Sequence, residues 1–143
     1  MSNQFVRKPR ARTVVVSTPA INSDGIATVP SGVSWQVLGG QFSLATVAVT
    51  GTCRPAFSVY AQDTYAMYNF IVPTAFGAGV LGVVTFGVGV AFAEQSVTPW
   101  VAISLPPLIL LPGDTIYMSF INATGDVQVG NISIAVAETI LGY

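Results

Sequence analysis

Thirty consecutive residues, Thr64 to Ala93, carry no charged side chain and are rich in valine, phenylalanine and alanine. A run of that length can cross a bilayer as a helix. Its internal order points elsewhere. Val84, Phe86, Val88, Val90 and Phe92 alternate with Thr85, Gly87, Gly89, Ala91 and Ala93, large against small. That is the period of a strand, and a helix would scatter the large residues around its circumference. Five glycines and Pro73 in the same stretch weaken a helix further. The stretch is therefore expected to be sheet, with Leu81 to Ala93 as one long strand and no membrane span.

The same period recurs along the chain. In Leu105 to Phe120, two proline-marked turns bracket a short apolar run. Leu111-Pro112-Gly113-Asp114 fits a type II turn, with proline at the second position and a glycine that accepts positive φ at the third. After it, Ile116, Met118 and Phe120 alternate with Thr115, Tyr117 and Ser119. Val33, Trp35 and Val37 share a face before Gly39-Gly40, which is expected to break the strand. Phase slips between Phe42/Leu44 and Val47/Val49, and across Gly130-Asn131, predict bulges. Further strands are expected over Ile26–Val29, Ala56–Ala61, Tyr65–Val72, Thr98–Leu105 and Val127–Ala137. Eight or nine strands spaced by about ten residues, with no amphipathic helix, predict an all-β antiparallel sandwich. A jelly roll is the expected form, with another Greek key or a barrel left open.

Charge is scarce and unevenly placed. Only 8% of residues are charged, against about 25% in an ordinary domain. Arg7, Lys8, Arg10 and Arg12 make the first twelve residues basic, whereas Arg54 alone offsets six acids in the rest. So little charge gives poor protection against association, so much of the surface is expected to be covered by other subunits. Residues 1–20 are taken as an extended basic N-terminal arm and 21–143 as the sandwich domain. Within the arm, Thr13 to Ser17 is strand-like and is expected to lie on a neighbouring copy. The candidate contact residues are Phe5, Arg7, Lys8, Arg10, Arg12, Val14 and Val16. Four charges with one nearby aromatic make a weak nucleic-acid footprint, so a protein partner is favoured over nucleic acid. No apolar run precedes Thr13, so no secretion signal is expected.

Catalytic chemistry finds little to use. There is no histidine and one cysteine, Cys53, so the commonest general base and any intrachain disulfide are missing. Asp24, Asp63, Asp114 and Asp126 each stand beside turn residues, where aspartate serves the backbone, and their spacing is not that of a calcium loop. No enzyme, metal or cofactor is expected. Trp35, Tyr60, Tyr65, Tyr68 and Trp100 could stack on a glycan, although Trp35 is in phase with core positions.

The strand entry Val29-Pro30-Ser31-Gly32-Val33-Ser34-Trp35 resembles that of small virion proteins of tailed bacteriophages. So do Leu105-Pro106, Leu111-Pro112-Gly113-Asp114, Gly125-Asp126-Val127 and Ala137-Glu138. The resemblance covers about residues 26 to 143. It implies a head decoration, or cement, protein: a jelly-roll-like sandwich, commonly a homotrimer. Such a protein is made in the host cytoplasm and clamps the major capsid protein on the virion surface. Related sandwiches in tail, head–tail joining and glycan-recognising receptor-binding proteins are the alternative.

Overall fold

The computed structural model describes residues 8–47, 53–62, 64–95 and 99–142. These hold eleven strands and no helix: β1 (Arg10–Val16), β2 (Gly25–Thr28), β3 (Val33–Thr46), β4 (Arg54–Ala61), β5 (Tyr65–Ile71), β6 (Leu81–Val88), β7 (Ala93–Gln95), β8 (Trp100–Leu105), β9 (Ile109–Leu110), β10 (Thr115–Ile121) and β11 (Val127–Ile140). Among them no helix is long and apolar enough to cross a membrane.

The strands form two packed sheets, an all-β sandwich. The larger runs β1-β11-β3-β6-β8-β7, with β9 also on β3, and the smaller runs β2-β10-β4-β5. Inward positions are apolar on both: Trp35, Val37, Phe42 and Leu44 of β3 and Ile132, Ile134 and Val136 of β11 face Phe57 and Val59 of β4 and Ile116 and Met118 of β10. Phe57 meets Phe86 across the gap with ring centroids 4.5 Å apart. Such a contact adds to the burial of two large apolar side chains.

The turn at Leu111 has the expected form. The Asp114 amide donates to the Leu111 carbonyl at 3.0 Å, and Gly113 has φ +89°. The bulge at Gly130-Asn131 is also present. Asn131 and Ile132 together stand opposite Phe42, and Asn131 takes φ +48°. The extra residue restores phase, so Val127 and Val129 before it and Ile132, Ile134 and Val136 after it all point inward.

Five expectations are corrected. The sandwich is not wholly antiparallel, because β6 and β8 run parallel. β8 fills the slot between β6 and β7, and β7 is antiparallel to it. Leu81 to Ala93 is not one strand: β6 ends at Val88, Gly89 turns the chain with φ +75°, and Val90 and Phe92 lie exposed in the connection. Gly39-Gly40 does not interrupt β3, which passes through both. A Cβ on Gly40 would stand 2.4 Å from the Ser133 carbonyl oxygen and 2.6 Å from the Phe86 ring. The glycines admit close neighbours; they do not stop the strand. Similarly, β3 ends at Thr46, so the phase change at Val47 marks departure from the sheet, and Val49 is outside the described residues.

The fifth concerns the arm. A boundary at residue 20 would cut the larger sheet, because Arg10–Val16 pairs with β11 of its own chain, from Arg10 opposite Glu138 to Val16 opposite Ile132. Val14 and Val16 pack against the chain's own core, while Val15 between them is 77% exposed. The alternation expected to serve a neighbour therefore serves this sandwich.

Candidate functional site

Of the seven arm residues, Phe5 and Arg7 lie outside the described residues, and Lys8 is exposed ahead of β1. Arg10, Arg12, Val14 and Val16 share the inward side of β1. This brings both arginines onto Glu138, whose side chain is 1% exposed. Arg10 Nη2 donates to Oε1 at 3.0 Å and Arg12 Nη1 to Oε2 at 2.8 Å. From β3, the buried Trp35 indole Nε1 donates to the same Oε2 at 3.0 Å. The indole hydrogen bond, aided by those from the two guanidiniums and by the Arg12 charge, holds the Glu138 carboxyl below its ordinary pKa, although burial pushes the other way. The arginines remain 65% and 49% exposed, so they form a lid over the carboxylate. Glu138 was not singled out in the sequence as a site. Its clue is a lone acid at an inward phase of an apolar strand, two residues before the apolar pair Ile140-Leu141.

The aromatic residues considered for stacking do not share a surface. Trp35 is in the core, and Tyr68 donates its hydroxyl to the Ser104 carbonyl at 2.9 Å. Tyr65 is 72% exposed on β5, and Trp100 sits on the outer face of the larger sheet. Tyr60 instead meets Tyr117 on the outer face of the smaller sheet. Their rings are 5.3 Å apart and nearly perpendicular, at 80°. With Asp24, Ser58 and Ser119 they line a concavity of about 300 Å³. Register explains the grouping. Ser58 pairs with Tyr117 and Tyr60 with Thr115, and Asp24 precedes Gly25, which pairs with Met118. Burial raises the Asp24 pKa.

The other acids serve local structure. Asp114 accepts from the Leu111 amide at 2.8 Å and the Gln62 amide at 3.1 Å, fastening the turn to the β4–β5 connection. Asp126 accepts from the Asn22 side-chain amide at 2.9 Å. Asp63 lies outside the described residues. Among those described, no three metal-ligating side chains come together. Cys53 is buried, and its thiol is pushed up to about 11.

The outer face of the larger sheet has its own character. One row crosses all six strands through Val15, Ser133, Gln41, Thr85, Ala102 and Ala93. The adjoining outward rows contain only uncharged residues, with Leu81 61% and Leu38 44% exposed. The charged residues of this sheet, Arg10, Arg12, Glu94 and Glu138, are all on the opposite phase.

Comparison of the chain with protein-family models, curated proteins and solved structures finds no match.

Proposed function

We propose that this chain is a structural protein of a tailed-phage virion, a head decoration or cement protein that binds the major capsid protein as a homo-oligomer, a trimer. The observation that carries this reading is the uncharged outer face of the larger sheet. A six-stranded face built of Ala, Ser, Thr, Gln, Val, Leu and Trp has no charge to keep other proteins away. A face of this kind suits permanent protein contact better than free solution. The eight strands other than β7, β8 and β9 run β1-β11-β3-β6 in one sheet and β2-β10-β4-β5 in the other. This interleaving of early and late strands supports a jelly roll, with β7 to β9 as an insertion between its sixth strand, β6, and its seventh, β10. The proposed role is mechanical and not enzymatic: several modest contacts per oligomer add through multivalency and hold the shell.

The anchoring segment narrows to residues 1–9, because Arg10 and Arg12 are engaged with Glu138. Deleting residues 1–9 should leave the sandwich folded and abolish co-sedimentation with capsids. Undiminished co-sedimentation would remove the segment from the contact. Location decides the wider reading. Gold-labelled antibody against this chain should decorate the heads of intact particles, in many copies; label confined to tails would refute it.

A further inference from the structure

We propose that the concavity formed by Asp24, Ser58, Tyr60, Tyr117 and Ser119 is a binding site for an uncharged saccharide. Its volume of about 300 Å³ falls at the small end of the roughly 300–1,000 Å³ occupied by small-molecule sites. That suits one or two sugar rings better than a larger cofactor.

The chemistry of the walls selects the class. A sugar ring presents C–H bonds on its faces and hydroxyls around its rim. The Tyr60 and Tyr117 rings, at 80° to each other, offer an apolar plate with a second ring as a side wall, and each carries a hydroxyl. Serine hydroxyls both donate and accept, and a carboxylate accepts at two oxygens. Ser58 donates to Asn69 Oδ1 at 2.9 Å, which orients its oxygen as an acceptor. Asp24 can take two neighbouring sugar hydroxyls. None of the five lining residues is cationic and one is acidic, so a phosphate or sialic acid would meet repulsion. Burial already raises the Asp24 pKa, as expected for a carboxylate partly withdrawn from water, and hydroxyl donors from a ligand would restore what it has lost.

The frame suits recognition as well. Four of the five residues project from paired strands, β4 and β10, in fixed register. Sites on such elements hold geometry better than loop sites do. The site lies on the sheet opposite the uncharged face, so it does not depend on how the chain attaches to a shell.

The test uses the full chain against methyl glycosides of glucose, galactose, mannose and N-acetylglucosamine by saturation-transfer NMR, and against printed neutral and sialylated oligosaccharides. Saturation transfer to at least one neutral saccharide is expected. Tyr117→Ala should abolish it and Asp24→Asn should weaken it at least tenfold, whereas Tyr65→Ala, outside the concavity, should leave it unchanged. If Tyr117→Ala fails to fold, Ser119→Phe fills the concavity from a surface position and should abolish binding with the strand circular dichroism intact. The proposal is overturned by no signal from any neutral saccharide, by preference for sialylated ones, or by equal loss in Tyr65→Ala. Capsid co-sedimentation of Asp24→Asn should be unchanged, so failure here and failure of the attachment reading are separable.

Discussion

Replacing Glu138 by alanine removes the acceptor shared by two strands of the larger sheet. The Trp35 indole, buried at 2% exposure, would keep its N–H with no acceptor, a loss of about 1–3 kcal/mol. The two ion pairs add less. With arginine side chains 65% and 49% exposed, each is solvent-screened to about 0–1 kcal/mol. Together these come to about 1–5 kcal/mol. Glu138→Gln keeps an acceptor oxygen for the indole but removes the charge and puts an NH2 donor where the other oxygen accepted from an exposed arginine, so it should cost about 1 kcal/mol. The two variants also differ in pH dependence. An unfolded glutamate titrates near about 4.3, and in the fold Glu138 titrates lower. Its ionic contribution is therefore complete above the unfolded value and is lost as pH falls through the folded one. The deficit of Glu138→Gln against the natural chain should be fully present at about pH 7 and shrink as pH falls below the unfolded value and through the lower folded one, where the natural chain loses the charge too. Urea unfolding at a series of pH values measures this, provided the denaturant slope stays the same. A cost for Glu138→Ala below about 1 kcal/mol, or a Glu138→Gln deficit that does not shrink as pH falls, would show that the cluster does not join β1, β11 and β3 as argued.

Three further outcomes follow from the fold. Asp114→Ala removes the acceptor of the Leu111 and Gln62 amides and should destabilise by about 2–3 kcal/mol, read by thermal or urea unfolding. Gly40→Ala forces a Cβ onto a backbone carbonyl and the Phe86 ring. It should cost about 1–3 kcal/mol, whereas Gly77→Ala, with nothing near its Cβ, should be far milder in the same melt. Cys53, buried and with its thiol raised to about 11, should resist Ellman's reagent at about pH 8 in the native chain and react once urea unfolds it.

Local features proved legible wherever the cause was local. The Leu111 turn is written in Pro112 and Gly113, because one presets φ and the other accepts the left-handed region. The Gly130-Asn131 bulge is written in the phase slip on either side, because inward positions must stay apolar. Gly39-Gly40 misled for the same reason. A glycine pair looks like a break until the atoms that approach it are known, and those belong to β6 and β11. The concavity was half legible. Tyr60 is among the aromatic candidates in the sequence, but the alternation places Tyr117 only on the polar phase of its strand. Their meeting depends on the β4–β10 register.

The sequence by itself determined that the described residues are strands and turns without a helix, the uncharged middle included, and where most strands begin and turn. Those facts follow from a two-residue period and from turn chemistry, both set within a few residues. Tertiary structure alone decided the partners. It placed β8 between β6 and β7, parallel to β6 and antiparallel to β7, laid β1 on its own chain, and brought Arg10 to a carboxylate 128 positions away. The physical reason is that an alternating strand encodes which face is buried but not which edge it joins. That choice is made by which apolar faces close on one another, and, for Glu138, by where a buried charge can find its cations.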